Sequence, residues 1–426
     1  MSSLLIEGGH PISGRIEVGG NKNAALPLLA ACLLTTEECV LTNMPRIGDV
    51  EVMAKLLMEV GAEVQGLGTT TIRVRCKAIK TSEPSRELVG RLRGSVLLLG
   101  PLLARTGMAV LGMPGGDFPA RRTIGTHVDA LVNLGARVLP STGHALEAPD
   151  GLRPASMYLE EASVTGTETA LLAAATIEGL TEIRHAATEP HVVEVCEFLQ
   201  NLGVGITGVG SSTLRVEGTK QPRAATHRLH GDYIEAGSWA VVAAVTGGDP
   251  EVRGARAEDV ESIAFVLKKM HVDCTYDDSR ITIQKSKPVA AGRITTGLWP
   301  SFPSDFVSLI TVLATQAEGR TLIHDWMYEL RLFALEQLSG MRADLFLCDP
   351  HRIIVTGPSK LKGRKLDSRD LRSGMALIAA GLAAEGESRL SPLETVERGY
   401  GQLVERLKSL GAQVEQVEQR MSLPPV

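Results

Sequence analysis

The stretch LVNLGARVL at residues 131–139 joins an apolar helical segment, a Leu-Gly-Ala turn and a short β-rich run. Five related stretches follow the same order, namely LLMEVGAEV (56–64), FLQNLGVGI (198–206), VLKKMHVDC (266–274), LSGMRADLF (338–346) and LKSLGAQVE (407–415). The glycine position falls at residues 61, 135, 203, 271, 342 and 411, with histidine and arginine in place of glycine at 271 and 342. Six equal parts of a 426-residue chain would each hold about 71 residues, so the spacing predicts six copies of one structural unit.

A second helical segment, rich in alanine, leucine and valine, precedes several of these stretches. Examples are AALPLLAACLL (24–34), ETALLAAATIEG (168–179), GSWAVVAAVTGG (237–248) and SGMALIAAGLAAEG (373–386). These segments are apolar on nearly every face, so we expect them to be buried, and a glycine closes several as a helix C-cap. Since β-branched runs follow both helices, each unit is predicted to be β–α–β–α–β–β, an α/β fold of α+β repeats.

Length and charge narrow the class of protein. At about 150 residues per domain the chain predicts two or three domains. It carries 44 Lys and Arg against 49 Asp and Glu, a net charge of −5, so a general nucleic-acid binder is not expected. A local cluster of cations for an anionic ligand stays compatible with this balance. No apolar run reaches ~18 residues and the N-terminus lacks the pattern of a signal peptide, so we expect no membrane association and a cytoplasmic location.

The six cysteines suggest no metal site. None forms a CxxC pair, and no histidine lies at zinc-site spacing from them. We therefore expect no bound metal, and thiols that are buried in a reducing compartment.

Seven motifs, taken in order, carry a resemblance to a known family. They are GGNKNAALP (19–27), RLRGSVLLLGPLLAR (91–105), MPGGD (113–117), SVTGTE (163–168), FPSD (302–305), RDLRSG (369–374) and ERGY (397–400). In this order and spacing, from about residue 4 to about residue 417, the chain resembles the enolpyruvyl transferase family, and most closely the members that act on a sugar nucleotide.

The resemblance implies a two-domain fold, with the six units arranged as two inside-out α/β barrels. Residues 1–21 and 231–426 would form a first three-unit domain. Residues 22–230 would form a second, inserted three-unit domain that carries the Asp117 loop. In the family these domains face each other across a cleft that closes on the ligand. The polar, glycine-containing stretch HRLHGDY at 227–233 fits a domain boundary.

The resemblance also implies an activity. The family enzymes move the enolpyruvyl group of phosphoenolpyruvate to an acceptor hydroxyl and release phosphate. For the sugar-nucleotide members the acceptor is the 3-hydroxyl of UDP-N-acetylglucosamine, in the first committed step of peptidoglycan synthesis. The expected partners are these two small molecules, and no cofactor is implied. The chemistry must neutralise a carboxylate and a phosphate, protonate a methylene carbon and deprotonate a sugar hydroxyl.

Neutralising the two anions requires cations at fixed positions, and arginine suits bidentate oxyanions. The resemblance assigns this task to Lys22, Arg93, Arg122, Arg331, Arg372 and Arg398. Lys22 follows Gly19-Gly20 and opens an apolar helix, so the positive end of that helix would face the same anion. Asn23 would add a hydrogen bond to the phosphate, unless it simply serves as the N-cap of the helix.

The two proton transfers point to carboxylates. The family usually has a cysteine as proton donor where this chain has Asp117, and some members have aspartate there too. Asp117 could instead be an ordinary turn residue after Gly-Gly. Asp305 matches the carboxylate that contacts the sugar hydroxyl, as base or as orienter, but it could also cap the helix FVSLITVLA. Glu329 is a weaker candidate. The remaining substrate-binding residues implied by the resemblance are His127, Ser163, Val164, Met327 and Asp370.

The nucleotide side departs from the family pattern. The loop at residues 118–127 retains Arg122 and His127 but loses the usual Pro, Asp and Ile-Gly, and Tyr233 stands where arginine is usual. The departures therefore concern residues that would bind the acceptor, and not those that would bind phosphoenolpyruvate. A paralogue using another nucleotide or sugar, and a catalytically silent sugar-nucleotide binding protein, stay open. A shikimate 3-phosphate enzyme is disfavoured because GGNKNAALP and MPGGD match the sugar-nucleotide members better.

Overall fold

The structure is a computed structural model that describes residues 2–115, 123–140, 144–328 and 331–418. Its strands are β1 (Ser2–Glu7), β2 (Arg15–Glu17), β3 (Glu38–Thr42), β4 (Glu63–Gln65), β5 (Thr71–Arg75), β6 (Met108–Leu111), β7 (Arg137–Leu139), β8 (His144–Glu147), β9 (Ser156–Tyr158), β10 (Leu180–Arg184), β11 (Gly205–Thr207), β12 (Thr213–Glu217), β13 (Thr226–Arg228), β14 (Glu251–Arg253), β15 (Cys274–Asp277), β16 (Arg280–Ile283), β17 (Arg293–Thr295), β18 (Gly319–His324), β19 (Asp344–Asp349), β20 (Arg352–Gly357), β21 (Lys365–Asp367), β22 (Glu387–Ser391) and β23 (Gln413–Glu418).

The α-helices are numbered in the same way. They are α1 (Lys22–Ala31), α2 (Gly48–Glu59), α3 (Arg86–Val89), α4 (Leu99–Thr106), α5 (Gly125–Asn133), α6 (Val164–Ala174), α7 (Pro190–Asn201), α8 (Tyr233–Thr246), α9 (Ala257–Lys269), α10 (Val307–Gln316), α11 (Gln337–Gly340), α12 (Leu371–Ala383), α13 (Glu394–Glu397) and α14 (Leu403–Ser409). The longest of these described helices has 14 residues, and none has the length and apolar character that a bilayer crossing requires.

The chain divides into two compact units. The first unit comprises Met1–Val18 with Gly231–Val426, and the second comprises Gly19–His230. Within the described residues, the first unit contains three four-stranded sheets, and the second contains two four-stranded sheets and one of three strands.

The sheet formed by β9 to β12 shows the repeat in its complete form. Its strand order is β11-β12-β10-β9, with β9 parallel to β10 and the other neighbours antiparallel. Helix α6 connects β9 to β10, and α7 connects β10 to β11, as in a β–α–β–α–β–β unit. The α/β repeat predicted from the sequence is therefore confirmed. The three-stranded sheet β6-β8-β7 has no parallel edge strand among the described residues, and there the amide of Val110 donates to the carbonyl of Ser82 at 2.9 Å.

Two parallel strand pairs show how the second unit is inserted. Ile16 of β2 pairs with Val252 of β14, although the whole of the second unit separates them in sequence. His227 of β13 pairs with Leu41 of β3, so the last strand of the second unit completes the sheet that its first residues began. The chain thus leaves the first unit within one repeat and returns to finish it.

The repeated glycine position has a backbone explanation. Gly61, Gly135, Gly203 and Gly411 have φ between 86° and 114°, the left-handed region in which helices commonly end. In the two copies without glycine, His271 and Arg342 take φ of 57° and 72°. A side chain in this region costs about 1–2 kcal/mol, which explains why glycine occupies the other four copies.

Buried helices form the centre of each unit, as their sequences predict. In the first unit, α8, α10 and α12 pack against one another, and every residue from 372 to 382 of α12 is buried. In the second unit, all residues from 24 to 31 of α1 are buried. The prediction of buried thiols is wrong for Cys348, which is exposed, whereas the other five cysteines are buried. Cys348 lies on edge strand β19, where alternate side chains, including Phe346, point to solvent.

Candidate active site

In the first unit, candidate residues gather at the N-terminal ends of the three buried helices. Asp232 caps α8, because its Oδ1 accepts hydrogen bonds from the amides of Ile234 and Glu235 at 2.9 and 3.0 Å. Asp370 caps α12, where its Oδ1 accepts from the amides of Arg372 and Ser373 at 2.9 Å. Helix N-termini carry partial positive charge, so this end of the unit favours anions.

Asp305 does not cap its helix. It lies in a 3-10 turn, Ser304–Phe306, and in the part of the chain that the structure describes neither this turn nor α10 has a side-chain cap. Its carboxylate instead lies between two guanidinium groups. Arg331 Nη1 is 3.1 Å from Oδ1, while Arg372 Nη2 and Nε are 2.9 and 3.2 Å from Oδ2. The side chain of Asp305 is 30% exposed and those of the two arginines are only 13% and 10% exposed, so the carboxylate faces solvent.

The two guanidinium groups stay charged in spite of their burial. Burial by itself would lower the pKa of Arg331 and of Arg372, but the carboxylate of Asp305 together with weaker contributions from other neighbouring acidic and phenolic groups offsets it, and both pKa values are raised. Arg331 also lies over the ring of Tyr328, at 4.6 Å from its centroid. The site therefore holds two permanent cations in fixed positions.

A chain of hydroxyl groups holds Arg372 from behind. Its Nη1 donates to the hydroxyl of Tyr400 at 3.4 Å, and that hydroxyl is 2.8 Å from Ser238 Oγ. Ser238 donates its own proton to the carbonyl of Ile234 at 2.6 Å, so Tyr400 must be the donor to Ser238. Tyr400 is fully buried, and burial raises the pKa of its phenol. Sequence reasoning missed both hydroxyl residues.

Two other sequence candidates of the first unit are related to residues of this site. One is close to Tyr400 in sequence, and the other is hydrogen-bonded to Asp325. Arg398 directly follows helix α13, is half-buried, and precedes Tyr400 by two residues. The amide of Met327 donates to Oδ1 of Asp325 at 3.3 Å. Glu329 lies outside the described residues.

In the second unit, Lys22 is the first residue of α1. Its Nζ lies 2.9 Å from Oδ2 of Asp49, and these side chains are 15% and 4% exposed. The N-cap is Asn21, whose Oδ1 accepts from the amide of Asn23 at 2.8 Å. The alternative that Asn23 is the cap is therefore wrong. Asp49 carries no motif that would have identified it in the sequence.

Arg93, His127 and the start of α6 form a second group in this unit. Arg93 Nη2 donates to the carbonyl of Thr123 at 2.8 Å, and His127 Nε2 lies 2.8 Å from Thr165 Oγ1. Ser163 caps α6 by accepting from the amide of Gly166 at 3.2 Å, and Val164 is the first residue of that helix. Asp117 and Arg122 lie outside the described residues.

His127 is held in its neutral form. Burial, assisted by the charge of Arg93, lowers the pKa of its imidazole to about 4. Its Nδ1 is buried without a hydrogen-bond partner in the described part of the chain. A neutral ring at this place can accept from or donate to Thr165 without adding charge to the site.

This pKa predicts a loss of stability in mild acid. The unfolded chain binds a proton on this histidine near pH 6.5 and the folded chain only near pH 4, so its contribution is present above pH 6.5 and falls away towards pH 4. Between pH 7.5 and 5 the loss should be about 2 kcal/mol. Urea unfolding at these two pH values would measure the loss of unfolding free energy in the wild type. His127→Gln should lose about 2 kcal/mol less over the same range. The exposed His10→Gln is the matched control, and an equal pH dependence in both variants would contradict the assignment.

Comparison with known proteins agrees with the motifs. The family model for EPSP synthase (3-phosphoshikimate 1-carboxyvinyltransferase) matches residues 6–407. The UDP-N-acetylglucosamine 1-carboxyvinyltransferase of Treponema denticola is 41% identical over 423 residues, which cover 97% of this chain and 99% of that protein. The protein of the same name from Bradyrhizobium diazoefficiens is 40% identical over 426 residues, covering 98% of this chain and 99% of its own.

Solved structures show the same fold. The enolpyruvyl transferase NikO from Streptomyces tendae matches with a TM-score of 0.88 at 25% identity, over 97% of this chain and 98% of that one. An EPSP synthase from Acinetobacter baumannii matches with a TM-score of 0.77 at 19% identity, over 98% of this chain and 100% of its own, and supports the fold alone. The fold expected from the motifs is thereby confirmed.

Proposed function

Because the chain belongs to the UDP-N-acetylglucosamine 1-carboxyvinyltransferase family, we propose that it transfers the enolpyruvyl group of phosphoenolpyruvate to the 3-hydroxyl of UDP-N-acetylglucosamine and releases phosphate. The observation that carries this proposal is the arrangement Arg331–Asp305–Arg372 at the N-terminal ends of buried helices. It offers two fixed cations for an anionic donor and one accessible carboxylate for a hydroxyl.

In this proposal the cations neutralise the carboxylate and phosphate of phosphoenolpyruvate. Arginine forms paired, charge-assisted hydrogen bonds with both groups. The resemblance assigns this binding to Arg331, Arg372 and Arg398 of the first unit and to Lys22, Asn23, Arg93 and Arg122 of the second. Lys22 and Asp49 already form a shielded ion pair, so Lys22 is held in place before any ligand binds.

The chemistry then needs two proton transfers. Asp305 accepts a hydrogen bond from the sugar 3-hydroxyl, as base or as orienter. The oxygen of that hydroxyl attacks C2 of phosphoenolpyruvate. Asp117 gives a proton to the C3 methylene, so that a tetrahedral ketal forms. Loss of phosphate from C2 and of a proton from C3 then restores the double bond in the product. A general acid or base of this kind contributes about 10²- to 10⁴-fold to a rate.

Acceptor recognition is assigned to the remaining candidates. Under the proposal His127, Ser163 and Val164 contact the nucleotide in the second unit, and Met327 and Asp370 contribute in the first. The names of the curated relatives support UDP-N-acetylglucosamine as acceptor over another sugar. In the cell this reaction would start peptidoglycan synthesis in the cytoplasm and so serve cell wall biogenesis, cell shape and cell division.

The test is phosphate release from phosphoenolpyruvate, with and without UDP-N-acetylglucosamine. Release that depends on this nucleotide is the expected result. Tight nucleotide binding without turnover would favour a silent binding protein, and faster release with a different sugar nucleotide would favour a paralogue. Release with shikimate 3-phosphate instead would overturn the choice of acceptor.

Replacement of the usual cysteine by Asp117 predicts resistance to epoxide inhibitors. In the family, epoxides such as fosfomycin alkylate the thiol at this position, and this chain has a carboxylate there. Turnover should therefore persist in fosfomycin, while Asp117→Cys should become sensitive and gain one covalent adduct by mass spectrometry. Stoichiometric labelling of the wild-type loop would show that the motifs have been aligned wrongly.

A further inference from the structure

Asp325, directly after strand β18, is a fully buried carboxylate surrounded by donors. Ser304 Oγ is 2.9 and 2.8 Å from its two oxygens, and Thr296 Oγ1 is 2.7 Å from Oδ1. The amide of Met327 completes the set at 3.3 Å. No cation lies within ion-pair distance of this carboxylate in the described residues, so nothing there compensates its charge by direct contact.

The hydrogen bonds have a defined direction at Ser304. A serine hydroxyl has one proton, and Ser304 donates it to the carboxylate of Asp325. The oxygen of Ser304 is then left as an acceptor, and Arg331 Nη1 donates to it at 2.9 Å. The same Nη1 reaches Asp305 Oδ1 at 3.1 Å. Arg331 is thus tied to Asp325 through one hydroxyl group.

A buried carboxylate without a direct ion-pair partner is costly for stability, and apolar residues of similar volume often stabilise a protein more. A carboxylate at this position is explained by the direction in which it holds the hydroxyl group of Ser304. An asparagine at position 325 would replace one carboxylate oxygen by an NH2 group. This group can only donate, so the hydroxyl of Ser304 or Thr296 would have to accept from it. The oxygen of Ser304 would then have to accept from this amide as well as from Arg331, which weakens its hydrogen bond to the guanidinium group.

We propose that Asp325 is a positioning residue of the active site, which acts through Ser304 to hold Arg331 beside Asp305. The proposal rests on the proposed function, since Arg331 is there a ligand of phosphoenolpyruvate. Asp325 itself touches no substrate in this scheme. Its loss should therefore affect the binding of phosphoenolpyruvate more than the rate of the chemical step.

A double-mutant cycle tests the proposal, with Asp325→Asn, Ser304→Ala and the double variant assayed for kcat and for KM of phosphoenolpyruvate. A lost hydrogen bond to a charged group predicts that kcat/KM falls about 10- to 100-fold in each single variant, mainly through KM. Because both residues act on Arg331 as one chain, the double variant should be little worse than the worse single one. Losses that multiply, or an Asp325→Asn variant with wild-type KM, would overturn the proposal.

Thr296→Val provides a matched control. It removes another donor to the same carboxylate but leaves the link from Asp325 through Ser304 to Arg331 in place. Its melting temperature should fall as in Asp325→Asn, while its KM for phosphoenolpyruvate stays near that of the wild type. An equal rise in KM would show that general loosening, and not positioning, is responsible. If Asp325→Asn does not fold, Asp325→Glu and Ser304→Ala give the same comparison.

The two proposals fail in different ways. Absence of wild-type turnover would contradict the proposed function, whatever the variants do. The role of Asp325 is then read from calorimetric binding of inorganic phosphate, which should weaken in Asp325→Asn and in Ser304→Ala but not in Thr296→Val. Unchanged phosphate affinity in all three variants would reject the positioning role.

Discussion

The Asp305→Asn variant should lose about 10²- to 10⁴-fold in kcat while it keeps its fold. Asparagine has nearly the same shape as aspartate, but its amide cannot take up a proton and is a weaker acceptor for a sugar hydroxyl. It also presents a donor group to two guanidinium groups that now share a carboxylate. The first effect acts on the reacting hydroxyl and the second on the two arginines proposed to bind phosphoenolpyruvate, so the rate should fall more than the affinity for the nucleotide.

The pH dependence of this variant separates two roles for the carboxylate. If Asp305 is the general base, the acidic limb of the pH–rate profile should disappear along with most of the rate. If it only orients the hydroxyl, the limb should persist and KM for UDP-N-acetylglucosamine should rise. Steady-state kinetics across pH 5 to 9, with circular dichroism as a check on folding, would distinguish these outcomes.

Asp349→Asn is the matched control for this experiment. Asp349 belongs to the same unit, is 29% exposed against 30% for Asp305, and is also bound to an arginine, Arg352. Its replacement should leave kcat within about twofold of the wild type, as is usual for a surface ion pair. If Asp305→Asn behaves like this control, the carboxylate is only a structural partner of the two arginines.

The sequence specifies the repeat well because the repeat is a local property. A helix that ends in a left-handed residue leaves a glycine in the sequence, and even the two copies without glycine keep that conformation at His271 and Arg342. The buried helices are equally visible, since an all-apolar helix has no other stable place. Asp370 and Arg372 could be placed at a helix start from their order alone.

The pairings within the site could not be predicted in this way. Ser238 and Tyr400 are 162 residues apart, and Asp305 and Arg372 are 67 residues apart, so no local spacing relates them. Asp305 and Arg372 meet because packing of the three buried helices brings their N-terminal ends together, and Tyr400 reaches Ser238 because it follows α13, which packs against α12. The role of Asp325 could not be predicted from the sequence for the same reason, because it depends on hydrogen-bond donors contributed by other segments.

Helix N-caps could not be assigned from the sequence where two residues suit the same position. Asparagine favours the N-cap position, so either Asn21 or Asn23 could start α1. The structure selects Asn21, whose backbone amide also donates to the carbonyl of His230 at 2.8 Å and ties the first turn to the segment that follows β13. Asp305 posed the same problem before a helix, and there two distant arginines, and not the helix, decide its place.

The Arg372→Lys variant should lower kcat/KM by about 10²- to 10³-fold although it keeps the charge. Arg372 donates from Nη2 and Nε to Asp305 and from Nη1 to Tyr400, two directions that one ammonium group cannot serve together. Each hydrogen bond to a charged group that is lost costs about 1.5–3 kcal/mol. The Tyr400 hydroxyl would then be left in a buried place with one partner fewer.

Arg369→Lys, three residues earlier in the same motif, is the control for Arg372→Lys. Arg369 is exposed and pairs with Asp367, which is also exposed, so its replacement should leave kcat/KM near the wild-type value. Kinetics with both substrates varied would show whether the loss in Arg372→Lys appears in KM for phosphoenolpyruvate. A lysine variant as active as the wild type would mean that charge alone suffices at this position. A lysine that binds Asp305 cannot also donate to Tyr400. In that case the hydrogen bonds through Tyr400 and Ser238 would have no part in catalysis.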